Sequence, residues 1–422
     1  MYKRLPTSLA VVSFGIVVLT YVVNAMDRLV FPVLLPGIAS EFNFPLATGG
    51  LLATLFTLGL GIAGVPGSFL FARFQRKYVA IGGVLIYSLC TILTCHSRGF
   101  LDMAVYRVVS GIGEALQNVA VFTIAGSYFY RHRSAAIGTL VFAYGAGSFL
   151  GPKLGAELLL HSQSWRAPLY AYGIVGLIGA LVVLFLVSPR LTEQHTRPHE
   201  DRVDEAHIPN QLLNRNTCLL AFTAVCAGIA AYAYVGLYPT YLIKELHFPI
   251  ATTGTVASMF GVGALFALLG GVVADRFNQK VLCLLSLAAM IFSGYGMFNI
   301  ATTPLTQGAM SFIEGVAFPG FLYVNLYSLI QRSVRFTQTG RASGLMVTCL
   351  YLPSAASGFL FATLRTTFGW GNAALYVLCL PLIIAFVAML FFDISQTSCP
   401  SALRKTARTP TLSEQSPKSA SM

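Results

Sequence analysis

Asp27 and Arg28 stand side by side inside an apolar stretch that runs from Leu9 to Leu35, and a second stretch, Leu101 to Phe129, carries Arg107 and Glu114. An ionisable side chain in a helix of bilayer length costs roughly 2.5–3.5 kcal/mol on insertion scales, so it faces a protein interior or a watery path. Carboxyls in such a place can take up and release protons. Guanidiniums there can hold an anion through a two-pronged fork and never lose their charge. The four residues together point to a proton-coupled pathway for a small anion.

Arg107, Gly111, Glu114 and Asn118 follow one another at spacings of 4, 3 and 4, which puts them on one helical face left open at the glycine. If this helix enters from outside, Arg107 lies about 10 Å deep and Glu114 roughly 10 Å deeper, at ~1.5 Å per residue. The first helix leaves outward near Leu35, so Asp27 is expected to share the level of Arg107 and pair with it, with Glu114 just past the midplane. Arg28 is the expected substrate clamp, and Asp27 and Glu114 are the expected proton carriers. Glu314, in the tenth apolar stretch, is a second-rank proton site. The alternative is that Asp27–Arg107 and Arg28–Glu114 are neutralising pairs that hold this half together. Tyr234, Tyr238 and Tyr241 place hydroxyls along one face and suit a polyol or carboxylate, or else a helix interface. Tyr21, Asn24, Asn118 and Asn325 complete the candidate binding residues.

These residues need helices that cross a membrane. Of the 422 residues 56% are hydrophobic and 10% charged, with a mean hydropathy of +0.72, too little polar surface for a soluble domain of this size. Twelve continuous apolar stretches, each near the ~20 residues needed to span a bilayer, argue for helices and against a barrel. With the N-terminus inside, twenty loop Lys and Arg residues fall on the cytoplasmic side and four (Arg98, Arg166, Lys244, Arg365) outside, so both termini are expected in the cytoplasm. The first stretch reads as a retained helix rather than a cleaved leader. The +12 charge therefore reflects topology and anionic lipid, and no basic stripe or aromatic platform suggests nucleic acid. Cysteine and histidine spacing gives no metal motif, and nothing calls for a cofactor. Nucleophile elbows and phosphate loops are missing from the sequence, so an integral-membrane enzyme is the remotest reading.

The expected organisation is an all-α integral membrane protein. It has a six-helix bundle over 1–190, a charged cytoplasmic linker over 191–215, a second six-helix bundle over 216–393 and a disordered tail over 394–422. The halves echo each other: residues 41–50 (EFNFPLATGG) match residues 245–254 (ELHFPIATTG) at six of ten positions, an offset of 204. Two parallel six-helix repeats suit an alternating-access carrier with its site at the midplane.

Residues 271–280, Gly271-Val-Val-Ala-Asp275-Arg276-Phe-Asn-Gln-Lys280, resemble the G-x-x-x-D-R-x-x-x-[RK] loop signature of the major facilitator superfamily, and the resemblance covers essentially the whole chain. It implies a gating role for Gly271, Asp275, Arg276 and Lys280, with the Asp capping a neighbouring helix. The N-terminal copy keeps Arg73 but has Ser68 and Ala72 in place of the Gly and Asp, so its lock is expected to be weaker.

Within the superfamily, Asn24-Ala-Met-Asp27-Arg28, Arg107-Val-Val-Ser-Gly111-Ile-Gly-Glu114-Ala115 and Pro239-Thr-Tyr-Leu242 resemble stretches of the anion:cation symporters. That resemblance implies proton-coupled uptake of a sugar acid or other organic anion across the inner membrane, and chain length and the internal repeat make a monomer sufficient. Against it, Gly147-Ser-Phe-Leu-Gly151-Pro152-Lys153-Leu-Gly155 is similar to a fifth-helix signature of drug/proton antiporters, although helix packing and a proline kink also explain it. An effluxer of amphipathic compounds is the alternative, and a membrane solute sensor without turnover the second.

Overall fold

The computed structural model describes residues 5–129, 133–193, 208–209, 211–274 and 276–398, and among them there is no strand. Eleven helical runs are long and apolar enough to cross a membrane. The last of these, Thr339–Leu390, has 52 residues, about 78 Å of α-helix and more than twice a hydrocarbon core of ~30 Å. Gly369 breaks it with φ 75° and ψ 173°, a conformation that glycine adopts without a Cβ penalty. The run is therefore two spans, and the bundle has twelve.

In chain order, α1 is Thr7–Phe42, α2 is Leu46–Thr54 continued by Phe56–Arg73, and α3 is Arg76–Thr94. The first half ends with α4 (Phe100–Tyr128), α5 (Arg133–Ser162) and α6 (Arg166–Leu186). The second half holds α7 (Arg215–Lys244), α8 (Ile250–Ala264 continued by Ala267–Ala274) and α9 (Gln279–Asn299). Its tenth helix, α10, starts as Pro304–Gly315, widens into a π-helical segment at Val316–Tyr323 around Pro319, and finishes as Val324–Arg332. Residues 339–368 form α11 and 371–390 form α12. The central part of the charged linker, 194–207, and the tail from 399 lie outside the described residues. The first helix runs seven residues beyond the expected Leu35, through Pro36, which it tolerates within its last two turns.

The repeat is visible in three dimensions. The bounds of α10 are those of α4 moved by 204 residues: Phe100 to Pro304 and Tyr128 to Arg332. A Cβ on Gly111 of α4 would run into the Phe56 carbonyl of α2, and a Cβ on Gly315 of α10 would run into the Phe260 carbonyl of α8, again 204 residues apart. Asn43 and His247 both take the left-handed conformation, with φ of 54° and 55°, and in each half a Phe-Pro pair then starts the next helix. Glu41 pairs with Arg166 at 2.6 Å and Glu245 with Arg365 at 3.9 Å. Lys77 donates to the Leu184 carbonyl at the end of α6 (2.8 Å), and Lys280 donates to those of Leu390 and Phe392 at the end of α12 (2.7 and 2.9 Å). Ammonium groups are favoured there by the unsatisfied carbonyls and the helix dipole.

The two halves are sutured along two seams. In the α2–α11 seam a Cβ on Gly50 would sit 2.8 Å from the Gly358 carbonyl oxygen. Thr54 donates to the Ala355 carbonyl (2.8 Å) and Thr348 to that of Gly61 (2.7 Å). In the other seam Gly145 and Gly261 bring α5 against α8. Small residues allow this approach because helices in lipid associate through close packing rather than through water exclusion.

Candidate substrate-binding site

On a helix, successive residues point about 100° apart, and α1 uses this to send Asp27 and Arg28 to different neighbours. Arg28 faces α4. Its Nε donates to Glu114 Oε2 at 2.8 Å, and both side chains are fully buried. Its Nη2 donates to Asn24 Oδ1 (3.0 Å), and its Nη1 reaches across to the second half, to the Tyr351 hydroxyl of α11 (3.3 Å). Glu114 also accepts from Ser110 (3.4 Å). Asn24 donates to Gln117 (2.9 Å), Gln117 to Thr20 (3.2 Å), and Asn118 to the Tyr21 hydroxyl (3.1 Å). These bonds give the buried ions the partners that a low-dielectric interior requires.

The pairing of Asp27 with Arg107 expected from their common level is not made. Both Asp27 carboxylate oxygens lie against the Thr91 hydroxyl of α3, at 2.9 and 2.8 Å. Arg107 turns instead between the rings of Phe31 (4.2 Å) and Phe56 (4.8 Å), and its Nε and Nη2 are buried without a hydrogen-bond partner. Depth fixes the level of a side chain but not its direction around the helix, and Asp27 faces α3. A guanidinium held on aromatic faces recovers part of its lost hydration. The atoms Nε and Nη2 form one edge of its donor fork.

The remaining expected residues divide. Tyr21, Asn24 and Asn118 belong to the network around Arg28. Tyr234, Tyr238 and Tyr241 keep their common face; their hydroxyls bond within the second half, while Tyr234 and Tyr238 also line a second cavity of about 30 Å³ against Leu29, Pro32, Val33, Ser148 and Pro152 of the first half. Tyr234 shares a hydrogen bond with Ser311 (2.8 Å), Tyr238 donates to Gln307 (2.8 Å) and Tyr241 donates to the Met297 carbonyl (3.4 Å). Glu314 is buried in α10, where it accepts from Ser293 at 2.6 Å with no cation within 4.0 Å among the described residues. Asn325 donates to the Phe321 carbonyl (2.8 Å), and its Oδ1 is buried without a partner. Arg73 and Arg276 are exposed, Gly271 is buried, and Asp275 lies outside the described residues.

The glycine run of α5 packs on α1. Cβ atoms on Gly147, Gly151 and Gly155 would meet Val22, Met26 and Val30 respectively. Lys153 points away from this contact and is exposed, with its ammonium 5.5 Å from the Phe149 ring.

Where the halves meet beside Arg28 there is a cavity of about 20 Å³, room for roughly one water molecule. Six of the residues around it are aromatic: Tyr21, Tyr144, Tyr232, Phe318, Tyr323 and Tyr351. The Arg28 guanidinium carbon is 5.6 and 5.8 Å from the rings of Tyr351 and Tyr144. The sequence reading missed all of these except Tyr21. The available signal was tyrosines at mid-helix, since tyrosine in spanning helices otherwise gathers at the membrane surfaces. Gln117 and Thr91 were missed for a plainer reason: neither is charged. Carrying the 204-residue offset through the site is informative. Arg28 and Glu114 correspond to Tyr232 and Phe318, and Asp27 and Arg107 to Ala231 and Ser311.

The comparisons with known proteins agree with this architecture. The family model of the Major Facilitator Superfamily matches residues 17–358, with a second match over 220–416. Protein spinster of Drosophila melanogaster is 25% identical over 305 residues, 70% of this chain but 50% of that protein, so the chain spans half its length. The cis,cis-muconate transport protein of Acinetobacter baylyi is 23% identical over 278 residues, covering 64% of this chain and 67% of that one. A probable sulfoacetate transporter of Cupriavidus necator is 26% identical over 349 residues, covering 78% and 80%. Among solved structures, an inward-facing, unoccupied bacterial homolog of the human lysosomal transporter Spinster superposes with a TM-score of 0.66. That match covers 92% of this chain and 96% of the other at 16% identity, a likeness of fold. The chain belongs to the Major Facilitator Superfamily and is a multi-pass membrane transporter, not an enzyme.

Proposed function

We propose that the protein imports a small organic anion together with protons by alternating access, with Arg28 as the anion's anchor. The observation that carries this reading is the position of Arg28. It is a permanent cation, buried between the halves, tied to Glu114 in one half and Tyr351 in the other, beside the central cavity. A substrate carboxylate and Glu114 then compete for one guanidinium. Protonation of Glu114 frees the fork for the anion, and loss of the anion returns Arg28 to Glu114, so proton and anion travel together. Asp27 and Glu314 are buried with hydroxyl donors alone, so each can take a proton without breaking an ion pair. They are the further coupling candidates.

The relatives that carry muconate and sulfoacetate support an anionic cargo. The loop arginines and lysines support an N-terminus in the cytoplasm, and a single chain is sufficient. Gly271, Asp275, Arg276 and Lys280, with Arg73 in the other half, form the proposed gate on that cytoplasmic face. The α5 glycine run, which gave efflux its ground, packs on α1, and efflux stays the second reading.

The test is accumulation of radiolabelled carboxylates in proteoliposomes with an acidic exterior. Uptake above the equilibrium level that collapses with a protonophore is expected. Equal uptake with and without the gradient would contradict coupling, and extrusion of lipophilic cations alone would replace this reading with efflux.

A further inference from the structure

We infer that the anion is a flat aromatic or conjugated carboxylate rather than a sugar acid, an inference that rests on the anion-uptake reading above. The repeat makes the cavity two-faced. In one half the Arg28–Glu114 pair lies just behind the lining, with Arg28 bonded to the lining residue Tyr351, and at the equivalent positions the other half offers Tyr232 and Phe318, which line the cavity themselves. A ligand that bridges the halves therefore meets a guanidinium at one end and aromatic rings along its body.

The rings are disposed for this. Tyr232 stands at 62° to Tyr351 with centroids 5.5 Å apart, and Phe318 at 71° to Tyr323 at 6.4 Å. Such edge-on pairs leave ring faces and edges free to take another flat π-system between them. A polyol makes a different demand. Each hydroxyl that leaves water needs a donor or acceptor, and leaving one unmade costs about 1–3 kcal/mol. Amides would meet that demand, yet Asn24, Gln117 and Asn118 are bonded within the network around Arg28 and Asn325 donates to the Phe321 carbonyl. The lining itself offers tyrosine hydroxyls alone, and those of Tyr21 and Tyr351 already accept from Asn118 and Arg28. The lining between the tyrosines is Val141, Pro319 and Leu350.

One polar atom in the aromatic wall is unspoken for. The Tyr323 hydroxyl is buried with no hydrogen-bond partner within 3.5 Å. Its neighbour is the Tyr351 hydroxyl, which already accepts from Arg28, and buried polar groups in native proteins are nearly always paired. A ring hydroxyl on the ligand, remote from its carboxylate, would supply the partner. The cavity in the closed molecule is too small for such a ligand, so binding belongs to a state with the halves parted and the rings closing on the ligand afterwards.

Ligand-induced thermal stabilisation of the purified full-length protein tests this with benzoate, 4-hydroxybenzoate and D-galacturonate. Benzoate is expected to half-saturate at a concentration about tenfold below galacturonate, with 4-hydroxybenzoate lower again. Tyr323→Phe, which removes one oxygen and keeps the ring, is expected to bring the ratio between the two aromatic acids close to one. Galacturonate binding as tightly as benzoate would overturn the aromatic assignment and leave anion uptake standing. A hydroxyl preference that survives Tyr323→Phe would overturn the role of Tyr323. Stabilisation by none of the three would overturn the aromatic assignment and, with a full carboxylate panel also silent, anion uptake itself.

Discussion

The two halves of this transporter share a frame and differ in their interior. The frame is duplicated in detail: the left-handed residue before each Phe-Pro, the Glu–Arg pair on one face, the lysine on the last carbonyls of α6 and α12, and the glycine that brings α4 onto α2 and α10 onto α8. The interior is not. Where the first half buries an ion pair, an aspartate and a second arginine, the second half has tyrosine, phenylalanine, alanine and serine, and its buried carboxyl, Glu314, comes one turn off the Glu114 position. Frame contacts fix how the helices pack and constrain both copies alike. Binding chemistry needs complementary walls, so the copies are free to diverge there.

Predictions follow the size of that asymmetry. Glu114→Ala leaves Arg28 buried without its carboxylate and should cost about 3–5 kcal/mol of stability. Replacing both partners, as Arg28→Met with Glu114→Leu, should recover most of the loss. A double variant no more stable than Glu114→Ala would contradict the pairing. Thermal or chemical denaturation in detergent reads both.

The frame predicts symmetry instead. Gly111→Ala and Gly315→Ala each push a Cβ into a backbone carbonyl of the neighbouring helix and should each cost about 1–3 kcal/mol by overpacking. A large loss from one and none from the other would break the proposed equivalence of the halves. The smallest effect concerns the lysines. Lys77→Ala and Lys280→Ala remove a cation from helix-terminal carbonyls and should each cost about 0.3–1 kcal/mol. Lys77 is the more buried and sets the upper end of that range. A Lys280→Ala loss well above that of Lys77→Ala, measured in the same melts, would mean that the loop signature does more than cap α12.

The spans were legible because a bilayer demands length and continuous apolarity, and even the fusion of α11 with α12 resolves at a glycine between two stretches marked separately in the sequence. Helix register also brought Arg28 and Glu114 within reach of each other. It failed at Asp27, which shares a level with Arg107 but points to Thr91. For Tyr234, Tyr238 and Tyr241 it gave the common face and left open the neighbour that face meets. Spacing within one helix carries no information about the helix opposite. The aromatic cavity wall depends on packing between segments some 200 residues apart, and the repeat offset was the one sequence feature able to reach Tyr232 and Phe318 from Arg28 and Glu114.

The central claim is that one buried pair divides the work, Arg28 holding the anion and Glu114 the proton. Glu114→Gln keeps the size of the side chain and one acceptor oxygen for Arg28, and cannot carry the proton. The most direct measurement compares, in proteoliposomes, substrate exchange at equal pH with accumulation driven by a pH gradient, for wild type and Glu114→Gln. The account predicts that the variant still exchanges substrate and no longer accumulates it. Undiminished gradient-driven accumulation in Glu114→Gln would remove Glu114 from coupling and contradict the account.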